Sequence, residues 1–94
     1  MSDYRVFETD EFRGRKKRVA RQTGRSLDRK LLDYIYPQLK QEPHFGPNIK
    51  RLQGYTPPTW RYRLGDYRVF YFIDETERIV FLLTLDHRKD IYRT

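Results

Sequence analysis

The chain of 94 residues contains no cysteine. Disulfide bonds, thiolate catalysis and cysteine-based zinc sites are therefore excluded, and neither a metal nor a cofactor is predicted. No hydrophobic run approaches the length of a membrane-spanning helix, and the N-terminal segment MSDYRVFETD lacks the apolar stretch that follows the basic start of a secretory signal. We therefore expect a cytoplasmic protein without a membrane partner.

Acidic residues are outnumbered, because 20 Lys and Arg face 13 Asp and Glu for a formal net charge of +7. Such a surplus favours a polyanionic partner, through neutralisation of phosphates and release of counterions. Nucleic acid, the ribosome and an acidic protein all fit this description. The length predicts one domain spanning 1–94, and the aromatic content of 16% implies that Tyr, Phe and Trp fill much of a small core.

The N-terminal segment predicts a strand followed by a helix. Tyr4, Val6 and Glu8 alternate with Arg5 and Phe7 in a short run that is typical of an edge strand. Asp10 is the expected N-cap of a helix from Glu11 to about Gln22, and Gly24 is the expected stop.

A second helix is predicted from Ser26, because apolar side chains recur four residues apart. The inward stripe consists of Leu27, Leu31, Ile35 and Leu39, with Leu32 beside them. Pro37 removes a backbone donor, so we expect a kink or break near Tyr36 instead of a smooth helix to Gln41.

The C-terminal third predicts three antiparallel strands. The segments TWRYRL, YRVFYFID and ERIVFLLTLD are rich in β-branched and aromatic residues and are separated by turn signals. Positions 43–58, dense in Pro and Gly, are expected to form an irregular connection. A short N-terminal strand, two helices and a three-stranded meander together predict an α+β fold whose helices cover one sheet face.

The Gly65-Asp66 pair predicts a two-residue type II′ hairpin loop, since glycine suits its first central position. This loop fixes the strand register and places Arg63 directly opposite Arg68, with Arg61 on the same face. Like charges placed opposite each other cost stability, so local stability does not explain the three arginines.

Two interpretations of this arginine cluster remain open. A bound phosphodiester would explain it, because arginine stays charged and presents a fork of donors to phosphate oxygens, including those of a pentavalent transition state. The alternative is a charged face that keeps the sheet soluble. On the opposite face, Trp60, Tyr62 and Leu64 are expected to pack into the core.

The C-terminal segment DHRKDIYR places His87 beside Arg88, with Tyr92 close behind. Such groups can perform acid–base work on RNA, and a solvated tail is the alternative. His44 lies in the Pro-rich connection and is expected to be a loop residue without a catalytic role.

The first helix carries a concentration of basic side chains that favours RNA binding. They are Arg13, Arg15, Lys16, Lys17, Arg18, Arg21 and Arg25. We expect them to encircle the helix as an electrostatic footprint, although each one alone also fits an ordinary solvated helix.

Several of these segments together resemble the RelE branch of the RelE/ParE toxins of type II toxin–antitoxin systems. The shared tokens are Leu-x-Gly before the first hairpin strand, alternating basic residues along that strand, Gly-Asp-Tyr-Arg-Val leading into the next, and the terminal His-Arg-Lys-Asp-x-Tyr-Arg. The resemblance covers most of the chain, from the short strand and two helices to the terminal segment.

The resemblance implies a microbial-ribonuclease-like α+β fold. It also implies that the protein cleaves mRNA in the 30S A site of the ribosome, by attack of a ribose 2′-hydroxyl on the adjacent phosphate. Arg61 and Arg63 would bind phosphate and help to deprotonate the nucleophile, while Arg68 would stabilise the transition state. His87 or Arg88 would protonate the leaving oxygen. Tyr92 would stack on the nucleotide or orient it.

The same resemblance implies a cognate antitoxin, a small RelB-like protein that wraps the toxin and covers its basic face. Arginine at 61 and 63, where lysine is well known in the family, is a departure, because arginine accepts a proton poorly. Two rival functions remain open: a ParE-like toxin that inhibits DNA gyrase by binding, and a non-catalytic nucleic-acid-binding module.

Overall fold

The computed structural model describes residues 3–24 and 26–88. Two of the predicted site residues, Arg25 and Tyr92, lie outside these ranges. The helical elements are α1 (Asp10–Thr23), α2 (Ser26–Lys30), a π-helical turn (Leu31–Ile35) and α3 (Tyr36–Gln41). The strands are β1 (Arg5–Glu8), β2 (Ile49–Arg51), β3 (Trp60–Leu64), β4 (Tyr67–Asp74) and β5 (Ile79–His87).

The strands form one five-stranded sheet in the order β1-β5-β4-β3-β2. The predicted meander β3-β4-β5 is confirmed and occupies the centre, and β1 is confirmed as an edge strand that pairs in parallel with β5. We expected the connection over 43–58 to be irregular throughout. This was wrong in part, because β2 lies within it and adds an antiparallel edge strand next to β3. The α+β prediction is therefore correct, and the sheet is wider than predicted.

Helix α1 begins one residue earlier than predicted, and Thr9 caps it instead of Asp10. The Thr9 hydroxyl accepts a hydrogen bond from the backbone N–H of Phe12 at 3.3 Å and also donates to the Leu82 carbonyl at 2.6 Å. One side chain therefore caps the helix and fastens it to the central strand β5. Gly24 ends the helix as predicted, with φ at 83°.

The helical stretch from Ser26 continues to Gln41 in spite of Pro37. Proline clashes with the carbonyl four residues before it, and the π turn relieves this crowding. The Tyr36 backbone N–H accordingly bonds to Leu31 O, five residues back. The irregularity predicted near Tyr36 is thus a widened turn and not a break. Leu32 was wrongly placed in the inward stripe, since it is 65% exposed.

The core lies between the helices and one face of the sheet, the helix-covered face. Its buried apolar residues are Tyr4, Phe12, Val19, Leu27, Leu31, Ile35, Leu39, Tyr62, Tyr67, Val69, Tyr71, Ile73, Val80, Leu82 and Leu85. Trp60 and Leu64 are partly buried against this core, in line with their predicted inward orientation. Tyr71 is fixed at the base of the core because its hydroxyl donates to Pro43 O at 2.7 Å.

A β-bulge in β5 changes the register of the two central strands. Tyr71 pairs with Leu82, but the preceding Phe70 pairs with Thr84, so Leu83 is an extra residue on β5. Every residue of β5 after the bulge consequently points to the opposite face from the one that simple alternation predicts.

Among residues 3–24 and 26–88, no helix is long and apolar enough to cross a membrane.

Candidate functional site

The hairpin between β3 and β4 has the predicted geometry. Gly65 has a φ of 61°, as the first position of a type II′ turn requires, and Leu64 pairs with Tyr67 across the loop. Arg63 is paired directly with Arg68. Because the helix-covered face takes Tyr62, Tyr67 and Val69, the two arginines lie on the other side of the sheet, the uncovered face.

Lys50 joins the arginines on this face and was missed by the sequence analysis. Strand β2 pairs Lys50 with Arg61, so the two side chains project from the same face of neighbouring strands. We refer to Lys50, Arg61, Arg63 and Arg68 as the basic cluster. The sequence carries no clear signal for this strand, because its three residues Ile49-Lys50-Arg51 are too few to show alternation among the surrounding prolines and glycines.

Arg68 is held by a carboxylate that the sequence analysis also missed. Asp86, its partner on β5, accepts hydrogen bonds from Arg68 Nε at 3.0 Å and from Nη2 at 3.2 Å. The guanidinium also lies 5.9 Å from the centroid of the Phe70 ring on its own strand. A guanidinium has five N–H donors, so this bidentate pair orients Arg68 and leaves further donors for a ligand.

Arg61 carries a polar atom whose hydrogen bonding is incomplete. Among the described residues, its buried Nε has no acceptor. A buried donor without a partner costs on the order of 1–3 kcal/mol, and an acceptor on a bound ligand would remove that cost. The neighbours of Arg61 across the strands are Lys50 and Phe70, neither of which offers a side-chain acceptor.

His87 does not join the basic cluster, contrary to the sequence-based grouping. The bulge at Leu83 sends His87 to the helix-covered face, where it pairs with Tyr67 and is 6% exposed. Its ring meets the Tyr67 ring edge-on, with centroids 4.7 Å apart. The structure therefore separates His87 from the three arginines by the thickness of the sheet.

Arg88 is exposed and lies at the hairpin end of the sheet. Its backbone N–H donates to Asp66 O at 2.9 Å, which places it beside the Gly65-Asp66 loop and near the β3 and β4 arginines that flank the loop. Tyr92, the remaining residue of the predicted tail site, lies outside the described residues.

The basic residues of α1 fall into two groups, of which one contacts the sheet and the other is exposed. Arg15 Nε donates to Leu85 O at 3.1 Å, and Lys16 lies 2.9 Å from Glu8, so both fasten the helix to the sheet. The outward, exposed members are Arg13, Lys17, Arg18 and Arg21. Arg13 lies 3.8 Å from Asp10, in a long and exposed ion pair. A cationic outer surface is therefore present, built from fewer residues than predicted.

His44 is a loop residue, as expected, but it is firmly bonded. Its Nδ1 lies 2.9 Å from Glu42 and its Nε2 lies 2.6 Å from Glu75, so it bridges the end of α3 and the β4–β5 turn. Burial alone would lower the pKa of His44, but the hydrogen bonds and negative charges of the two glutamates outweigh it and raise that pKa. The same contacts lower the pKa of both carboxyl groups against a smaller effect of burial.

Comparison with known proteins identifies the family. Residues 9–92 match the family described as the ParE toxin of the type II toxin–antitoxin system parDE. The chain belongs to the RelE/ParE superfamily of type II toxins. It is 37% identical over 65 residues to Toxin RelG of Mycobacterium tuberculosis, an alignment covering 67% of this chain and 70% of that protein.

Solved structures of this superfamily agree with the fold. The chain matches the toxin–antitoxin complex RelBE2 of Mycobacterium tuberculosis with a TM-score of 0.76 and 27% identity, covering 96% of this chain and 97% of that one. It matches the archaeal RelE–RelB complex of Pyrococcus horikoshii with a TM-score of 0.66 and 24% identity, covering 90% and 94%. The helices packed on one face of a five-stranded mixed sheet are therefore those of a RelE-type toxin fold.

Proposed function

We propose that this toxin is a ribosome-dependent endoribonuclease that cleaves mRNA in the A site and thereby inhibits translation. The observation that carries the proposal is the basic cluster: four cations converge on the uncovered face, and Asp86 fixes one of them in orientation. A preorganised guanidinium suits the charge that develops on a phosphate under attack. The resemblance to a toxin named RelG supports the same assignment.

The proposed reaction is attack of a ribose 2′-hydroxyl on the adjacent phosphorus. The 2′-oxygen loses its proton and forms a bond to phosphorus, while the bond to the 5′-oxygen of the next nucleotide breaks and that oxygen gains a proton. The products are a cyclic phosphate and a free 5′-hydroxyl. Such a step needs a proton acceptor, a group that stabilises the anionic transition state and a proton donor.

The basic cluster supplies candidates for two of these roles. Lysine releases its proton far more readily than arginine, so Lys50 is a better acceptor of the 2′-hydroxyl proton than Arg61 or Arg63, which bind the phosphate instead. Arg68, oriented by Asp86, stabilises the transition state. Arg88, beside the hairpin loop, is the better-placed proton donor, because His87 is buried on the other face. Tyr92 remains our proposed stacking residue.

We also propose a RelB-like antitoxin as the partner that neutralises this toxin. The similar RelBE2 structure is a toxin–antitoxin complex. The uncovered face offers an apolar area next to the basic cluster, where the Phe7 and Phe81 rings meet at 5.6 Å and Phe7 is 55% exposed. A partner that covers this face would bury the rings and block the cluster together.

Inhibition of DNA gyrase by binding is the second candidate, favoured by the family description, which names ParE. A gyrase inhibitor requires no phosphate-cleaving group, so the oriented Arg68–Asp86 pair favours the nuclease. We place either activity in the cytoplasm, in a single domain spanning 1–94.

Parallel assays of the same preparation separate the candidates. Translating ribosomes with a defined mRNA should yield fragments ending in cyclic phosphate, while gyrase supercoiling activity should be unchanged. Arg63→Ala should abolish the fragments, whereas Arg5→Ala, which changes an exposed arginine of edge strand β1, should not. Loss of supercoiling with intact mRNA would refute the nuclease and support the rival.

A further inference from the structure

A second candidate site, which is concave, lies at the hairpin end of the sheet, on the helix-covered side. It is a cleft of about 450 Å³ between the end of α1, the start of α2, the hairpin loop and the end of β5. Its lining residues are Gln22, Thr23, Ser26, Lys30, Gly65, Asp66, Tyr67 and His87. None of the basic cluster lines this cleft, so it is separate from the site assigned above.

The polar groups of the cleft differ in kind from those of the basic cluster. Lys30 has no ion-pair partner within residues 3–24 and 26–88. Ser26 Oγ and Tyr67 Oη share one hydrogen bond of 3.0 Å, which leaves one of the two hydroxyl protons available to another acceptor. Asp66 adds a carboxylate on the loop side. Among the described residues, the cleft thus combines the cation of Lys30, the carboxylate of Asp66, neutral hydroxyls and the ring of His87.

This combination suits a ribonucleotide better than a simple anion. A carboxylate repels a free phosphate, but it accepts hydrogen bonds from ribose hydroxyls or from an amino group of a base. A lysine beside hydroxyl donors meets the phosphate of the same nucleotide. The volume is within the range of small-molecule sites, about 300–1,000 Å³.

We propose that the cleft binds one ribonucleotide, with its phosphate on Lys30 and its ribose on Asp66. This inference rests on the proposed function, because the nucleotide would belong to the RNA strand whose scissile phosphate lies on the basic cluster. The Gly65-Asp66 loop separates the two sites: Arg63 and Arg68 flank the loop on one face, and Tyr67 with His87 lies beneath it on the other. An RNA strand that passes over this loop reaches both.

The test is an amide NMR titration of the ¹⁵N-labelled free toxin with adenosine 5′-monophosphate, in the absence of ribosomes. We expect saturable shifts at the amides of Gln22, Ser26 and Lys30, which belong to helices on the far side of the sheet from the basic cluster. Lys30→Gln should weaken binding about tenfold and remove the preference for the nucleotide over adenosine. Asp66→Asn should remove the preference over 2′-deoxyadenosine 5′-monophosphate.

The matched control is Lys40→Gln, at the other end of the same helical stretch, which should leave binding unchanged. Lys30 has no described partner and Lys40 is exposed, so both variants should keep the wild-type spectrum in the free state. Shifts confined to the sheet, or an unchanged affinity in Lys30→Gln, would overturn the proposal. Arg63→Ala keeps the two proposals distinguishable, because it should abolish mRNA cleavage without weakening nucleotide binding in the cleft.

Discussion

Replacement of Arg68 by alanine should remove most of the proposed mRNA cleavage and lower the free energy of unfolding slightly. Loss of a preorganised donor to a developing anion costs about a hundredfold to a thousandfold in rate. The variant also loses two hydrogen bonds to Asp86, whose side chain is only 18% exposed and would be left unpaired. Because the Arg68 side chain is 37% exposed, we place the cost of the broken pair at about 1–2 kcal/mol.

Relief of the repulsion with Arg63 offsets part of that cost, by about 0.2–1 kcal/mol. The net loss is then about 1 kcal/mol, equivalent to a fall in Tm of roughly 4–8 °C for a domain of this size. The opposed arginines alone would predict a variant at least as stable as the wild type. Asp86 is the reason for the difference.

Two further variants separate the two effects. Adding Asp86→Ala to Arg68→Ala should restore most of the Tm, because no charge remains unpaired, yet cleavage should stay at the level of the single variant. Arg63→Ala should abolish cleavage without lowering Tm. Single-turnover mRNA cleavage at saturating ribosome, thermal unfolding and ribosome binding would be measured on every variant. Near-wild-type cleavage by Arg68→Ala, or activity that returns when Asp86 is also removed, would refute the catalytic assignment.

Three other predictions concern groups outside the basic cluster. Combined Lys17→Gln and Arg21→Gln should reduce ribosome affinity and its salt dependence, with unchanged single-turnover cleavage at saturation, because both exposed charges lie on the outer side of α1. The bridge from His44 to Glu75 should stabilise the fold fully below the ordinary His pKa of 6.5 and lose its contribution as the pH rises through the raised pKa. Wild-type Tm should therefore fall more than that of His44→Gln as the pH rises from 6.5 through the raised pKa of His44. Tyr36→Phe should cost about 1 kcal/mol in chemical denaturation, because its hydroxyl donates to the partly buried Glu8.

The part of the site that the sequence predicted depends on local geometry. A two-residue loop with glycine first determines which residues of the two adjoining strands face each other, so the Arg63–Arg68 pair followed from four consecutive residues. The inward stripe of the second helix was equally local, with Leu27 and Leu39 both fully buried. Leu32 was misplaced because helical spacing defines a stripe without defining its width.

The remaining members of the site depend on contacts between distant segments. Lys50 joins the cluster only because β2 pairs with β3 across the irregular connection, and three residues give too little alternation to predict a strand. Likewise, Asp86 is 18 positions from Arg68 along the chain, so their pairing requires the full register of the central strands. No turn rule connects these positions.

The bulge in β5 determines which tail residue belongs to which site. Without the extra Leu83, the pairing of Tyr71 with Leu82 would continue with Phe70 opposite Leu83, and Arg68 would face Leu85. His87 would then share the uncovered face with the arginines, as the sequence-based grouping assumed, and Asp86 would point into the helix-covered side. The bulge reverses both assignments. The Thr9 side chain contacts the bulge, because its hydroxyl lies 3.2 Å from Leu83 O and 2.6 Å from Leu82 O. Thr9 thus caps α1 and also stabilises the bulge in β5. That bulge pairs Arg68 with Asp86 and places His87 in the cleft.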